Sequence, residues 1–360
     1  MEYKEFPFPN QTPMFPTWYR VLEYVQSYSR TFLEGNDTVH VSLETLVKDV
    51  RKDPSSGQWT MITSNVKNTS IEDEYIFDAV VVCSGHYAVA QVPSVEGLDV
   101  WAKNDPDSIS HAKYFDDPQA FRGKNVLVVG NAASGIDISV QLLGYANQPI
   151  YRSVRSPTSS QLQTKKIKEV AQVAKYDFLT RSAVLEDGSI VKDIDHILFC
   201  TGYLYSFPYL KSYSYGENAI ITDGSRVHHL FKQMFYIHDP SLIFVGMQWK
   251  IIPMPMAESQ GMVIARVLSG RLDLPSKSEM AKHEANEIKL KGDDRRFHCF
   301  QYPQDYEYTK QLHDWAQAAR NSKHGFMAEL WNKEKQELRS RSSELKNEYF
   351  KKTIEQHEKV

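Results

Sequence analysis

The spacing of apolar positions changes several times along the chain, and each change predicts an element. Residues 18–32 carry apolar side chains three and four apart and read as an amphipathic helix, after a Phe-, Pro- and Tyr-rich stretch without a period. Residues 39–52 and 57–66 alternate apolar with polar, as half-buried strands do, and the DPSSG turn joins them. The run FDAVVVC (77–83) is apolar almost throughout, which fits a strand buried on both faces. Residues 85–121, rich in Pro and Asp, read as a connection. A strand at 125–130, a helix at 134–144 and a strand at 149–154 follow. A helix-like stretch at 161–174 and a hairpin about Glu186, Asp187 and Gly188 come next. HILFC (196–200) and SLIFVG (241–246) are further buried strands, and 257–268 is a helix. Residues 333–357 are dense in Lys and Glu and read as a solvated surface helix.

Within that pattern, VLVVGNAASGIDI (126–138) stands out: strand, small-residue turn, helix. Such a unit holds a pyrophosphate when one glycine makes the tight turn, a small residue admits the phosphates and another glycine lets helix pack on strand. Gly130, Asn131, Ala132, Ser134 and Gly135 are therefore candidate cofactor-binding residues, with the helix N-terminus offering N–H groups to the anion. Ala132 stands where the fingerprint has its second glycine, so an ordinary tight turn remains the alternative. An internal echo frames the unit: DAVVVCSGH (78–86) and DHILFCTGY (195–203) share an apolar run, a cysteine, a hydroxyl residue and a glycine. Ser84, Gly85, Thr201 and Gly202 thus end two strands where backbone can approach a ligand or cross between domains.

Composition narrows the class without adding to the site. The chain has 360 residues, enough for two domains, with 41% hydrophobic and 24% charged residues, as globular proteins have. A net charge of -3 gives no reason to expect nucleic acid as a partner. Cys83, Cys200 and Cys299 lie far apart without a CxxC, which argues against a disulfide framework, a zinc site or a dithiol centre and fits a reducing, cytoplasmic compartment. No apolar run approaches the length of a transmembrane span.

Taken in order, these segments resemble the flavin-containing monooxygenase family, microbial members included, from about Phe6 to residue 330. CSGHY (83–87) followed by PSVEGL (93–98) looks like the family's crossover from flavin to NADP domain. SHAKYF (110–115) is similar to the end of its signature: His111 and Phe115 match, whereas Asp105 and Asp107 stand where Phe and Gly belong. GNAASG corresponds to its NADP-binding fingerprint, CTGY (200–203) to its late motif, and PMPMAESQ (253–260), ending at Gln260, to a flavin-contact segment. Phe115, rather than Trp, favours these enzymes over Baeyer–Villiger ones.

The resemblance implies an α/β fold of two dinucleotide-binding, Rossmann-like domains, the NADP domain inserted in an FAD domain that is incomplete at its N-terminus. The expected boundaries are 1–90 and 204–330 for the FAD domain, 91–203 for the NADP domain, and 331–360 for a charged helical tail. The first strand and its G-x-G-x-x-G are missing, as if the chain began where roughly the first eighty to a hundred family residues end. The family's active-site Asn is missing with them, so no catalytic residue is assigned, and no metal is expected. The histidines, including His86, His111, His228 and His229, read as structural.

NADP is expected over NAD because the strand at 149–154 ends in Arg152 and Ser153 without a carboxylate. Arg152 can offer a fork to a 2′-phosphate and Ser153 a hydroxyl, and the family places an Arg-[ST] pair there. The implied activity uses FAD, NADPH and O₂ to oxygenate a soft small-molecule nucleophile, an amine or a thiol or sulfide, through a C4a-hydroperoxyflavin. Two alternatives stay open: an NADP(H)-binding remnant unable to hold FAD, and a two-nucleotide reductase. Oligomeric state and physiological substrate are not legible.

Overall fold

The computed structural model describes residues 2–158, 162 and 164–358. The chain divides into two compact units, Tyr87–Leu204 with Arg341–Val360, and Met1–His86 with Tyr205–Ser340.

The first of these is built on a five-stranded parallel sheet. Its strands are β6 (Ile109–His111), β7 (Val126–Val129), β8 (Ile150–Ser153), β9 (Ile167–Val170) and β13 (His196–Phe199), in the order β6-β13-β7-β8-β9. Val126, Leu127 and Val128 are fully buried because both faces are covered, which explains why β7 is apolar throughout. Helix α3 (Ala133–Gln141) covers one face with Ile138 and Val140; Trp101 of α2 (Leu98–Asn104) and Tyr176 lie on the other. Three antiparallel strands, β10 (Val173–Asp177), β11 (Ser182–Leu185) and β12 (Ile190–Val191), sit between β9 and β13 in the chain. A two-residue pairing of β5 (Val89–Ala90) with β14 (Tyr203–Leu204) brings the unit's entry and exit together.

Two expectations change here. The stretch at 161–174, of which residues 161 and 163 lie outside the described residues, forms β9 and the start of β10 rather than a helix. Ile167, Val170 and Val173 fall three apart and imitate a helical period, but they are β-branched and suit strands. The charged tail forms two helices: Lys333–Ser340 buries no residue and is solvated as expected, whereas α8 (Ser342–Glu358) is not, since Phe350 and Ile354 are buried among Val126, Leu143 and Ile150. Four residues apart, they make one apolar contact face on an otherwise charged helix.

The other unit opens with α1 (Trp18–Phe32), whose Tyr24 and Tyr28 stack on Phe8 and Tyr3 of the N-terminal arm at ring distances of 3.8 and 4.1 Å. A meander follows: β1 (Thr45–Lys52), β2 (Trp59–Asn65) and β3 (Asn68–Phe77), each antiparallel to the next. A four-stranded sheet has the order β15-β16-β17-β4, from β4 (Val80–Val82), β15 (Leu230–Phe231), β16 (Phe235–Tyr236) and β17 (Leu242–Phe244). In it, β4 runs parallel to β17 and has no strand on its other edge among the described residues. Helices α4 (Pro253–Leu268), α5 (Lys277–Lys291) and α6 (Gln304–Gln317) enclose a core that includes Phe235, Val263, Met280 and Leu312, and α7 (Lys333–Ser340) follows them.

Candidate functional site

In the parallel sheet the chain runs β7, β8, β9 to one side and continues with β13 on the other side of β7. Ligands of open α/β sheets bind beyond the carboxyl ends of the strands at such a reversal. Gly130 follows β7 there, with φ +110°, and a Cβ on it would lie 2.6 Å from the Cys200 carbonyl oxygen. A Cβ on Gly135, in the first turn of α3, would lie 2.0 Å from the Gly130 carbonyl oxygen. Both positions therefore exclude a side chain, and α3 starts close against the strand ends.

The start of α3 is open to an anion. Ala132 is its N-cap in extended conformation and supplies no side-chain cap. The first intrahelical bond is donated by Ile136 to Ala132. The N–H groups of Ala133, Ser134 and Gly135 have no described acceptor, and Ala132 and Ser134 are exposed beside them. Ala132, at the second-glycine position, is exposed in this turn. A dinucleotide pyrophosphate fits these donors.

Neighbouring strands close the cradle. Gly130 N–H donates to Ser153 across 2.9 Å and Cys200 N–H to Val129 across 2.8 Å. Burial pushes the Cys200 thiol up to about 12, so it stays a thiol beneath the glycine turn. Gln91 N–H donates to the Gly202 carbonyl at 2.8 Å and Thr201 Oγ1 to the Gln91 carbonyl, so both late-motif residues serve the β5–β14 crossover. His111 is buried; its Nδ1 accepts from Lys113 N–H at 3.0 Å, and burial holds its pKa below the usual value.

Arg152 and Ser153, the expected phosphate readers, are both buried and already hydrogen-bonded within the sheet. Arg152 is an interior strand residue, its side chain 2% exposed, and its Nη2 donates to Glu169 Oε1 at 2.9 Å. Ser153 Oγ donates to the Ala171 carbonyl at 3.1 Å. The carboxylate missing from β8 is supplied by β9, directly across the register. Burial alone would raise the Glu169 pKa, but hydrogen bonds from Thr158 and the Arg152 guanidinium hold it below the usual range. Arg155, by contrast, is exposed beyond the end of β8, followed by exposed Ser156, and has no ion-pair partner among the described residues. Both line a cavity of about 620 Å³ with Tyr151, Lys168 and Glu186. The signal was in the sequence: Arg152 falls two residues after inward-facing Ile150, on the buried side of the strand, whereas Arg155 follows its end.

In the other unit, Ser84 and Gly85 follow β4, and Ser84 Oγ lies 3.0 Å from Tyr209 OH. Gln260 is fully buried and saturated: Oε1 accepts from Gly246 N–H at 2.9 Å, and Nε2 donates to Gln248 Oε1 and to Tyr308 OH at 3.2 and 3.1 Å. It orders the loop at Gly246, and within the PMPMAESQ segment Pro253, Pro255, Ala257 and Glu258 are at least partly accessible. Burial lowers the pKa of His86, and its ring lies 5.1 Å from that of Tyr205. Among the described residues, no second strand–glycine turn–helix cradle accompanies these segments, and no three His, Cys, Asp or Glu side chains could hold a metal.

The family model described as "FMO-like: Flavin-binding monooxygenase-like" matches residues 1–159 and 161–327. The chain belongs to this family. Membership implies a flavin cofactor. A thiol-specific monooxygenase of Saccharomyces cerevisiae is 34% identical over 281 residues, covering 76% of this chain and 63% of that protein. The flavin-containing monooxygenase ustF2 of Aspergillus flavus is 30% identical over 343 residues, 87% of this chain and 68% of that protein. Among solved structures, S-allyl-L-cysteine S-oxygenase from Allium sativum superposes with a TM-score of 0.77 at 27% identity, over 100% of this chain and 81% of the other. The chain thus spans about two thirds of the length of the curated relatives it matches. Its mixed α/β architecture is that of two-domain flavin monooxygenases. No described helix is long and apolar enough to cross a membrane.

Proposed function

We propose that the Tyr87–Leu204 unit binds NADP(H) for a flavin- and O₂-dependent oxygenation of a soft nucleophile, sulfur before nitrogen. The observation carrying this reading is the start of α3: three N–H donors without an acceptor among the described residues, over two glycines that admit no side chain. The pyrophosphate would rest on Ala133, Ser134 and Gly135, and the 2′-phosphate on Arg155 and Ser156 in place of the ion-paired Arg152 and buried Ser153. Bound flavin supplies the oxygen-transferring chemistry; this chain's part is to hold and orient the nicotinamide dinucleotide. Relatives named for thiols and for an S-allyl cysteine favour a sulfur substrate. The scattered free cysteines suit a reducing, cytoplasmic compartment.

A specific observation also favours the second reading, an NADP(H)-binding chain that does not itself retain FAD: the flavin-side segments lack a pyrophosphate cradle among the described residues. Titration of the 360-residue chain with NADPH and NADH tests the common part. NADPH should bind more tightly, and Arg155→Ala should weaken NADPH alone by about tenfold, the worth of one charge-assisted contact. Equal affinities for the two cofactors would refute the assignment.

A further inference from the structure

Arg152 and Glu169 face one another across the parallel pairing of β8 with β9, two residues beyond the apolar pair Ile150 and Ile167. An ion pair is not needed to close the sheet there, since apolar side chains of similar volume do so at least as well. What it adds is a hold on the following loop. Glu169 Oε2 accepts the Thr158 backbone N–H at 3.1 Å, and Arg152 Nη2 reaches Thr158 Oγ1 at 3.4 Å. From the other side, Asn131 Nδ2 donates to Thr158 Oγ1 at 3.1 Å and to the Ser156 carbonyl at 2.7 Å. The loop bearing Arg155 and Ser156 is thereby tied at once to the glycine turn and to the two strands.

We infer that Arg152 and Glu169 form a positioning pair that fixes this loop for reading the ribose 2′-phosphomonoester, without touching it. The inference rests on the reading of Arg155 and Ser156 given above. A long exposed arginine loses affinity to side-chain and loop ordering, and a loop already held in place avoids that loss. The pair therefore governs the preference for NADPH over NADH more than affinity for the dinucleotide as such.

The measurement is the ratio of NADH to NADPH dissociation constants for the 360-residue chain, taken beside its melting temperature. The double variant Arg152→Met/Glu169→Met keeps the buried volume and removes the acceptor for Thr158. It should lower the ratio about tenfold, with NADH affinity unchanged, a loss equal to one charge-assisted contact. Arg152→Met/Glu169→Gln keeps an acceptor oxygen and should restore most of the ratio. Thr158→Val leaves the ion pair intact and should cost about threefold, as for one weak neutral hydrogen bond. An unchanged ratio in Met/Met or Thr158→Val, or a loss shared equally by both cofactors, overturns the positioning role. An unchanged ratio in Arg155→Ala instead overturns the reading of the loop, and the inference with it.

Discussion

A Cβ placed on Gly135 would come to 2.0 Å from the carbonyl oxygen of Gly130, the residue that turns the chain out of β7. The obstacle is backbone, so no side chain can swing away to relieve it. Helix α3 can begin this close to the strand only with a bare Cα at that position.

Gly135→Ala should accordingly push α3 outward. Alanine gains about 1 kcal/mol of helix propensity over glycine. Overpacking against fixed atoms costs about 1–3 kcal/mol, so the net effect is expected to be destabilising. Urea unfolding should show this loss together with weaker NADPH and NADH binding, since the displaced N–H groups are those proposed to hold the pyrophosphate common to both. An alanine variant with unaltered binding of either would remove α3 from the site.

The buried Arg152–Glu169 pair makes a contrasting case. Arg152→Ala leaves the Glu169 carboxylate with Thr158 alone as its partner, in surroundings where it is 18% exposed. Breaking a wholly buried pair costs about 3–5 kcal/mol, and partial access to water reduces this to roughly 2 kcal/mol. Arg155→Ala, at an exposed position, should leave the melting temperature unchanged. Thermal denaturation of the two variants side by side checks the difference, and equal melting temperatures would contradict it.

Acid should weaken the unit through His196. Burial first, then the charge of Lys124, lowers its pKa from 6.5 to about 4. Its Nε2 lies 2.7 Å from Ser110 Oγ. Between those values the unfolded chain binds a proton that the folded chain refuses. Stability is therefore full above pH 6.5 and falls as pH drops towards 4, by about 3 kcal/mol in total. In urea unfolding at pH 7 and 5, His196→Gln should flatten that slope. An equally steep decline in the variant would assign it to other groups.

On α8, Phe350→Ala should destabilise the nucleotide unit by about 3 kcal/mol, as for other buried phenylalanines. Exchanging exposed Lys351 for Glu should do little. Hydrogen exchange at β7 and α3 is the readout. Unchanged protection in Phe350→Ala would mean that the helix is not part of this core.

The flavin provides the last test. Purified by itself and incubated with FAD, the 360-residue chain should lose the flavin's visible absorbance on desalting and should not consume NADPH with a thiol present. One flavin per chain with turnover would show that these 360 residues hold FAD without a second glycine cradle.

Much of the nucleotide unit was legible because its signals are local. The apolar run of β7, the glycines and the HILFC strand each depend on neighbours a few residues away, and α1 occupies Trp18–Phe32 as its period predicts. What escaped depends on partners distant in sequence. Strand β3 has ten exposed residues and no alternation in burial, so only its pairing with β2 defines it. The burial of Arg152 depends on Glu169, seventeen residues later and across the strand register. Gln260 lies in a recognisable segment, but its saturation by Gly246, Gln248 and Tyr308 is a property of packing alone.

The place of α8 also bears on how the protein is made. The chain leaves the nucleotide unit at Leu204 and supplies Phe350 and Ile354 to its core only after roughly 150 further residues. At ordinary translation speeds that interval lasts roughly 7–30 s. Throughout it, the surface around Leu143 and Ile150 emerges from the ribosome without its last covering helix, a window in which a chaperone has something apolar to hold.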